Sequence, residues 1–261
     1  MSDDFPLHGH AEHRGSIPVV EALSDDELRE LNQMLRWNCF VADSRGRRFG
    51  QPTSATKRNL PQPVPDPRIA MLHKRLDLSD KVVLEVGCFE GVHTAGLCRV
   101  AKSVKACDSR ISNIVKTAVR CAMYQVHPQL FLWNVEKPIP EYQDAGCDVL
   151  HHVGVLYHLA DPIAHLQSIL PLVRVGVMLD THYADEGSAR DRFTSSGQSY
   201  RCKTHRESGY ADPFSGMNPA SRWLLLDDLV DVLKSLGLSQ VEIVERRAER
   251  NGPRVLLLAR R

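Results

Sequence analysis

Short apolar runs alternate with helix-like segments along most of the chain, and this alternation limits the possible folds. KVVLEVG, VKACD, QLFLWN, CDVLHHVGVLY and GVMLDTHY each have the length of one buried strand, and helical segments separate several of them. Strands joined by helices of this length pair in parallel, with helices on both faces of the sheet. The sequence therefore predicts a doubly wound, mostly parallel α/β sheet.

The C-terminal segment predicts that the sheet ends in an antiparallel strand. QVEIVERR and RVLLLARR flank AERNGP, a turn-rich linker short enough for a hairpin. Residues 184–221 are polar and rich in glycine, which predicts an excursion outside the sheet. Between the excursion and the hairpin, Leu229, Leu233 and Leu236 mark one face of a helix.

Residues 1–65 predict an N-terminal extension, and residues 66–261 predict the α/β domain. The first residues mix glycine, proline, histidine and charge without a period, which is typical of a mobile arm. Ser24 and Glu27 form a capping box in front of a short amphipathic helix. The chain that follows carries aromatic, arginine and proline residues without a sustained period, which predicts a lid formed by a loop or short hairpin.

Composition restricts the compartment and the partners. Lys plus Arg (33) nearly cancels Asp plus Glu (32), so the net charge of +1 creates no field that demands nucleic acid or an anionic membrane. The seven cysteines are scattered without C-x-x-C spacing, which favours reduced thiols over a disulfide framework or a zinc ribbon. The chain also lacks a signal-peptide pattern and a long apolar run. We therefore expect a soluble, cytoplasmic protein that does not bind membranes.

The turn EVGCFEG, which follows the first strand of the alternating region, is the main candidate for a ligand site. Ligands in open α/β sheets bind beyond the carboxyl ends of the strands. Gly87 and Gly91 remove side chains where a ligand must approach the backbone, while Glu85 can accept hydrogen bonds from an ammonium group. Phe89 replaces the middle glycine of the dinucleotide fingerprint and should narrow the turn, and the Lys-Ser/Thr pair of a P-loop is missing. Phosphate is therefore not the expected ligand.

Asp108 ends the next predicted strand, 108 − 85 = 23 residues after Glu85. A carboxylate at this position can accept both hydroxyl groups of a ribose. The turn and Asp108 together predict a nucleoside ligand without a pyrophosphate.

These motifs carry a resemblance to a known family. LEVGCFEG, ACDS and NVE resemble the successive cofactor motifs of the class I S-adenosylmethionine-dependent methyltransferases. The resemblance implies a Rossmann-like, seven-stranded sheet with an antiparallel last strand, S-adenosylmethionine as the cofactor, and methyl transfer. More narrowly, CDVLHHVGVLYHLADPIAHL is similar to the corresponding stretch of the tRNA wobble-uridine carboxymethyltransferase family. That family's Lys and Trp pattern for a carboxylated cofactor is not evident here, which favours ordinary S-adenosylmethionine.

The resemblance also implies roles for single residues. The glycine turn would line the methionine moiety, Asp108 and Ser109 the ribose, and Val135 and Glu136 the adenine edge. Val153 and Tyr157 would close over the sulfonium. The full set of predicted cofactor-binding residues is Glu85, Gly87, Cys88, Phe89, Gly91, His93, Asp108, Ser109, Asn134, Val135, Glu136, Val153 and Tyr157.

The candidate catalytic residues lie where the fourth and fifth strands of the alternating region end. Methyl transfer from a sulfonium is an in-line displacement, so the protein mainly positions the acceptor and removes its proton. Tyr157 could orient the acceptor, and His158 or His182 could act as the base. His151 and His152 are neighbours in a strand and point to opposite faces, so only one of them can face the site. A metal held by His158, His182 and an acidic residue is conceivable, but we predict no metal.

Segments outside the sheet are expected to build the acceptor pocket. They contain aromatic residues that could roof the pocket or pack in the core: Trp37, Phe40, Phe49, Tyr210 and Trp223. They also contain a basic cluster that could receive an anionic group of the acceptor or form a solvated loop: Arg45, Arg47, Arg48, Lys57 and Arg58.

Three functions fit these patterns. The first is methyl transfer to a small molecule bound between the N-terminal segment and the excursion. The second is modification of a tRNA wobble uridine. The third is a nucleoside-binding module without catalysis, which the departure at Phe89 keeps open.

Overall fold

The structure is a computed structural model that describes residues 19–50 and 60–261. The arm predicted before residue 19, and Lys57 and Arg58 of the predicted basic cluster, lie outside the described residues.

The described residues form six α-helices and twelve strands. The helices are α1 Asp25–Met34, α2 Pro67–Leu76, α3 Val92–Leu97, α4 Ile111–Met123, α5 Pro162–Ile169 and α6 Leu226–Ser235. The strands of the first half are β1 Val41–Ala42, β2 Arg48–Phe49, β3 Val82–Val86, β4 Ser103–Asp108, β5 Gln129–Leu132 and β6 Cys147–Val153. The remaining strands are β7 Val173–His182, β8 Asp191–Ser195, β9 Gln198–Arg206, β10 Ala220–Leu224, β11 Gln240–Glu249 and β12 Gly252–Arg260.

Seven strands form the main sheet in the order β11-β12-β7-β6-β3-β4-β5. Strands β3 to β7 pair in parallel, whereas β12 runs antiparallel to both β7 and β11. The chain leaves β3 toward β4 and β5 and then returns to β6 on the other side of β3. The predicted doubly wound sheet with its terminal antiparallel strand is confirmed. The carboxyl ends of β3 and β6 meet at the point where the strand order reverses.

The main sheet has an apolar layer on each face. Leu84 and Val86 of β3 belong to one buried cluster, which includes residues of α5 and α6. Val83 belongs to a second cluster, which includes Ile69 of α2 and Leu97 of α3. Because successive strand residues point to opposite faces, β3 is buried on both sides. This burial explains why every residue of β3 except Glu85 is apolar.

The described N-terminal segment packs on α3 and α4. The predicted capping box begins α1: Ser24 Oγ accepts a hydrogen bond from the Glu27 amide. The chain then forms the β1–β2 hairpin, as predicted for a loop or short hairpin. The buried Glu90 carboxylate accepts hydrogen bonds from the Asn38 amide and from Lys116 of α4. These bonds fasten the segment to the α/β domain.

Residues 184–221 lie outside the main sheet and are more regular than the sequence indicates. Together with the residues up to Leu224 they form a second antiparallel sheet of order β10-β9-β8. We refer to residues 184–224 as the excursion.

None of the helices in the described ranges is both long enough and apolar enough to cross a membrane. All seven cysteines fall within those ranges, and no disulfide joins any of them.

Candidate functional site

A cleft of about 690 Å³ opens where the parallel strands end. The ends of β3, β4, β6 and β7 contribute to its walls, together with residues 213–217 of the excursion and part of β11. All of the predicted cofactor-binding residues except Gly91 line this cleft: Glu85, Gly87, Cys88, Phe89, His93, Asp108, Ser109, Asn134, Val135, Glu136, Val153 and Tyr157. The three residues predicted as catalytic line it as well: Tyr157, His158 and His182.

The two glycines of the turn serve protein packing. Gly91 does not line the cleft, and a Cβ at this position would lie 2.9 Å from the Cα of Thr117 in α4. The contact that needs a glycine at this position is between α3 and α4, and a role of Gly91 toward a ligand stays a prediction. Gly87 does line the cleft, but a Cβ there would lie 2.3 Å from Cγ2 of Val155. Both glycines also have positive φ angles, 76° for Gly87 and 78° for Gly91.

Phe89 adopts a backbone conformation that glycine usually supplies, with φ 51°. Its ring packs against Phe214 of the excursion, with 5.4 Å between the centroids. Phe89, which replaces a glycine of the dinucleotide fingerprint, therefore packs the turn against the part of the excursion that lines the cleft.

Glu85 provides a buried carboxyl group at the end of β3. Thr94 Oγ1 donates a hydrogen bond to its Oε2 at 2.6 Å. Burial raises the pKa of Glu85 to about 7, although the bond from Thr94 acts in the opposite direction. A cationic group in the cleft would favour the ionised carboxylate, so this site can recognise an ammonium group.

Asp108 is held by three donors at the end of β4. Its Oδ2 accepts from the Phe89 amide at 3.0 Å, and its Oδ1 accepts from the Arg110 amide at 2.9 Å and from Asn113 Nδ2 at 3.0 Å. A carboxylate has about four acceptor positions. One position remains on Oδ2, so the predicted two-hydroxyl contact with a ribose requires one of these bonds to be displaced.

Glu136 connects two neighbouring segments at the predicted adenine edge. Its Oε1 accepts from the Ala160 amide at 2.7 Å, and its Oε2 accepts from Asn218 of the excursion at 2.6 Å. Asn134 caps this turn, because its Oδ1 accepts from the Glu136 amide. The carboxylate thus orders the wall of the cleft.

The two neighbouring histidines of β6 point to opposite faces, as predicted. His152 Nε2 lies 2.9 Å from His165 Nε2 on α5, while the His151 ring meets His93 edge to face at 5.2 Å. Burial holds the pKa of both His151 and His152 well below the usual range. Within the described ranges, neither ring nitrogen of His151 has a hydrogen-bond partner.

Glu85, His93 and His151 form a cluster that the sequence analysis missed. One potential ligand atom from each lies within 4.8 Å of the others, so the three residues could hold a divalent cation or surround a ligand ammonium group. The three positions are too far apart in the chain to form a motif. The detectable signal is strand register, because Glu85 of β3 pairs directly with His151 of β6.

Three arginines bind one buried carboxylate, that of Asp180. Asp180 at the end of β7 accepts hydrogen bonds from Arg68 at 2.8 Å, from Arg247 at 2.9 Å and from Arg254. Burial raises the pKa of Asp180, but Arg254 and Arg68 outweigh this effect and lower it below the ordinary value. All three arginines are among the residues that line the cleft. None of these arginines was predicted.

The described residues of the predicted basic cluster do not lie where they could contact an acceptor in the cleft. Arg45, Arg47 and Arg48 do not line the cleft. Arg47 pairs with Asp43 at 2.7 Å and donates to the Leu23 carbonyl, so it fixes the β1–β2 hairpin to α1. No residue of the range 19–50 lines the cleft, and the lid stays a prediction.

The predicted roof aromatics also take other positions. Trp37, Phe40 and Phe49 are buried outside the cleft, and Tyr210 is 59% exposed. Trp223 is buried behind the wall, where its ring stacks on His182 at 4.6 Å. These residues support the cleft or the core.

Tyr157, His158 and His182 form one aromatic group in the wall of the cleft. The ring centroid of Tyr157 lies 4.2 Å from that of His158 and 4.7 Å from that of His182. His182 Nδ1 donates to the Pro253 carbonyl at 3.1 Å, and burial lowers its pKa. His158 Nδ1 lies 2.9 Å from Glu207 of the excursion, a contact that sequence reasoning did not predict.

Sequence comparison gives limited information. No model of a known protein family matches the chain. A curated relative, the tRNA U34 carboxymethyltransferase of Campylobacter concisus (strain 13826), is 29% identical over 132 residues. This match covers 48% of the chain and 45% of the relative, so the chain spans less than half the length of that protein.

Structural comparison defines the fold class. The N-terminal domain of EvdMO1 with SAH (S-adenosylhomocysteine) bound has a TM-score of 0.73 at 23% identity, covering 90% of this chain and 95% of that one. A 1,6-didemethyltoxoflavin-N1-methyltransferase from Burkholderia thailandensis has a TM-score of 0.52 at 16% identity, with 77% and 79% covered. Magnesium protoporphyrin IX methyltransferase from Synechocystis PCC 6803 has a TM-score of 0.51 at 14% identity, with 75% and 76% covered. The chain therefore has the class I S-adenosylmethionine-dependent methyltransferase fold. The likeness to the EvdMO1 domain extends over nine tenths of its length.

Proposed function

We propose that this protein is an S-adenosylmethionine-dependent methyltransferase that acts on a small molecule in the cytoplasm. The observation that carries the proposal is the cleft at the point where the strand order reverses. Its lining includes the carboxyl groups of Glu85 and Asp108, which suit a nucleoside with an amino-acid moiety, and the imidazoles of His158 and His182. Glu85 would face the ammonium group of the cofactor, and Asp108 would accept from its ribose. The cofactor would supply an activated methyl group.

The other end of the cleft suits a small, polar acceptor. Tyr157, Arg254 and Glu249 all line it, so donors, acceptors and an aromatic face lie together. Residues 213–217 of the excursion form part of its wall, which limits the room for a large substrate. Two structural neighbours support this proposal, since the EvdMO1 domain was crystallised in the presence of SAH and D-fucose and the Burkholderia thailandensis enzyme contains bound 1,6-didemethyltoxoflavin.

Calorimetry with SAH tests cofactor binding directly. We expect binding to the wild type, and a loss of at least about tenfold in affinity in Asp108→Asn, since a hydrogen bond to a charged group contributes roughly 1.5 to 3 kcal/mol. The control is Asp144→Asn, whose side chain is 82% exposed and pairs with Lys105 and the Gly146 amide. If the wild type binds neither S-adenosylmethionine nor SAH, the proposed function is wrong.

Release of SAH across a panel of hydroxylated and heteroaromatic metabolites then tests catalysis. We expect turnover with one chemical class from the panel. If the cofactor binds and neither the panel nor tRNA supports turnover, the protein is a nucleoside-binding module.

Modification of tRNA is a second candidate, favoured by the 132-residue match to the Campylobacter concisus enzyme. A gel shift against bulk tRNA at rising salt separates the two candidates. RNA binding through phosphate contacts weakens steeply with salt. The small-molecule proposal expects no specific shift at physiological ionic strength, whereas a tight, salt-sensitive complex together with methyl incorporation into tRNA would replace it.

A further inference from the structure

We infer that Glu207 of the excursion positions His158 as the general base that takes the proton of an acceptor hydroxyl group. This inference rests on the proposed function and names the chemical class of the acceptor. It assigns to the excursion a direct role in the chemistry.

The first step of the argument is the tautomer of His158. His158 ends a short 3₁₀ turn, Leu156–His158, directly after β6. Its Nδ1 lies 2.9 Å from Oε1 of Glu207, the residue that follows β9. An ionised carboxylate only accepts hydrogen bonds, so in the neutral ring the proton must be on Nδ1. The lone pair is then on Nε2, which has no hydrogen-bond partner in the described ranges, and the residue lines the cleft.

The second step is the state of Glu207. Its Oε2 accepts from Ser215 Oγ at 2.6 Å and from the Gly216 amide at 2.8 Å, and its Oε1 also accepts from Ser221 Oγ at 2.8 Å. Burial by itself would raise the pKa of Glu207, but the bonds from His158, Ser215 and Gly216 lower it to about 2. The carboxylate is therefore ionised and fixed in orientation at neutral pH.

The third step is the rigidity of the contact. Gly216 lies directly on the backbone of His158, because a Cβ on Gly216 would be 2.3 Å from the His158 carbonyl oxygen. The Trp223 indole donates to the Tyr157 carbonyl at 3.0 Å, which ties β10 to the same turn. The excursion thus holds the backbone of the turn as well as the imidazole ring.

His182 is less suitable as the base. Its ring lies between Tyr157 and Trp223, and its Nδ1 donates to a backbone carbonyl. Its Nε2 lies 3.8 Å from the Glu249 carboxylate. His158, in contrast, contacts the Glu207 carboxylate, which three further hydrogen bonds hold in place.

The reaction balances without a further reactant. The acceptor O–H gives its proton to His158 Nε2 while an oxygen lone pair forms the new O–C bond to the methyl group. The S–C bond breaks, and its electron pair stays on sulfur. The products are a methyl ether, the neutral thioether and an imidazolium, which later loses its proton to solvent. Glu207 stays ionised throughout and compensates the positive charge on the ring.

The first test reads the tautomer and requires neither cofactor nor acceptor. Long-range ¹H–¹⁵N spectra of the labelled full-length protein, with His158 assigned by its loss in His158→Gln, distinguish the two ring nitrogens. At mildly alkaline pH we expect a protonated Nδ1 and an unprotonated Nε2. In Glu207→Gln the preference for Nδ1–H should weaken, because the amide group can donate to Nδ1. A wild-type ring protonated on Nε2 would overturn the inference.

The second test measures turnover with the hydroxylated acceptor that the metabolite panel identifies. We expect His158→Gly to lose about 10²-fold or more in kcat and to regain part of it with added imidazole. Glu207→Gln should lose about 10- to 100-fold in kcat, with the KM for S-adenosylmethionine changed less than about twofold. The control Ser195→Ala removes a 2.8 Å bond from the excursion to Asp161 without touching the pair, and it should keep its kcat.

The outcomes separate this inference from the proposed function. If SAH binds and turnover occurs but Glu207→Gln keeps its kcat, Glu207 is only a structural contact and the inference is wrong. Turnover restricted to acceptors without a hydroxyl group would also overturn it. If SAH does not bind at all, the proposed function fails on the calorimetric result, before either test of the pair is made.

Discussion

At the scale of single residues, Glu85 shows how position changes the chemistry of a side chain. The sequence places a carboxyl group at the end of β3, and this prediction is correct. The bond from Thr94 comes from the neighbouring helix α3, whereas the position of His151 beside Glu85 follows from the register of β6, which the local sequence does not contain. The raised pKa of Glu85 is therefore a property of the folded sheet.

Glu85→Gln should stabilise the cofactor-free protein at pH above about 7. The pKa of Glu85 rises from an ordinary 4.5 to about 7, so the buried group lowers stability progressively as the pH rises between these values. The amide removes this cost, which is on the order of 1 to 3 kcal/mol, and the two proteins should converge below about pH 4.5. Thermal melts at several pH values measure the difference.

The same variant should bind SAH more weakly, since an amide cannot pair with an ammonium group in the way a carboxylate does. Glu242→Gln is the control, because its exposed pair with Arg75 contributes little at any pH. Lower stability of Glu85→Gln than of the wild type at alkaline pH would contradict the burial argument.

Gly87→Ala should destabilise the protein through Val155, and a second substitution should relieve part of the loss. The new Cβ would lie 2.3 Å from Val155 Cγ2, which Val155→Ala removes. The strain of placing alanine at a positive φ remains in the double variant, because φ at Gly87 is 76°. A double-mutant cycle from urea unfolding should give a favourable coupling of about 1 kcal/mol or more. Additive effects would show that the backbone alone requires glycine.

At the scale of elements, the sequence predicts the strands that are buried on both faces of the main sheet. It does not predict the strands whose pairing depends on contacts between distant parts of the chain. Strands β3, β6 and β7 are apolar runs because layers of helices cover both sides of them. Strands β8 to β10 alternate polar and apolar residues irregularly, and their pairing depends on long-range contacts. Glu207 belongs to that region, so its contact with His158 had no local signal.

Arg110 holds the excursion over the cleft. Its guanidinium donates to the carbonyls of Gly209, Tyr210, Asp212 and Ser215 at 3.0 to 3.2 Å. Arg110→Met should therefore speed amide hydrogen exchange in residues 207–217 by about tenfold or more, since bonds to a charged donor contribute roughly 1.5 to 3 kcal/mol.

Exchange in the main sheet should stay as in the wild type. The matched control is Arg174→Met, which removes a 60% exposed guanidinium paired with Asp148. Equal exchange of the excursion in both variants would show that Arg110 does not secure it.

At the scale of the whole molecule, Asp180 joins parts of the chain that are far apart in sequence. Arg68 comes from α2, Arg247 from β11 and Arg254 from β12. No spacing rule connects these positions. The strand order brings them together, since β12 lies between β7 and β11.

Asp180→Asn should cost about 3 kcal/mol of unfolding free energy, because Arg68, Arg247 and Arg254 lose the buried carboxylate they share and keep only their outer partners Asp66, Glu245 and Glu249. Urea denaturation at neutral pH measures this loss as a lower midpoint. Asp144→Asn should shift it by less than about 0.5 kcal/mol. Since the pKa of Asp180 is lowered, its contribution is present above the ordinary Asp value and disappears as the pH falls through the folded value, where the two proteins should become alike.

The order of synthesis gives this carboxylate a second consequence. Asp180 leaves the ribosome well before Arg247 and Arg254, so a nascent chain that stops short of the β11–β12 hairpin has only Arg68 of the three arginines to pair with this carboxylate where the interior should close. Such a fragment should show no cooperative melting, and quality-control proteases should readily degrade it. Completion of the β11–β12 hairpin thus decides whether this part of the interior can close.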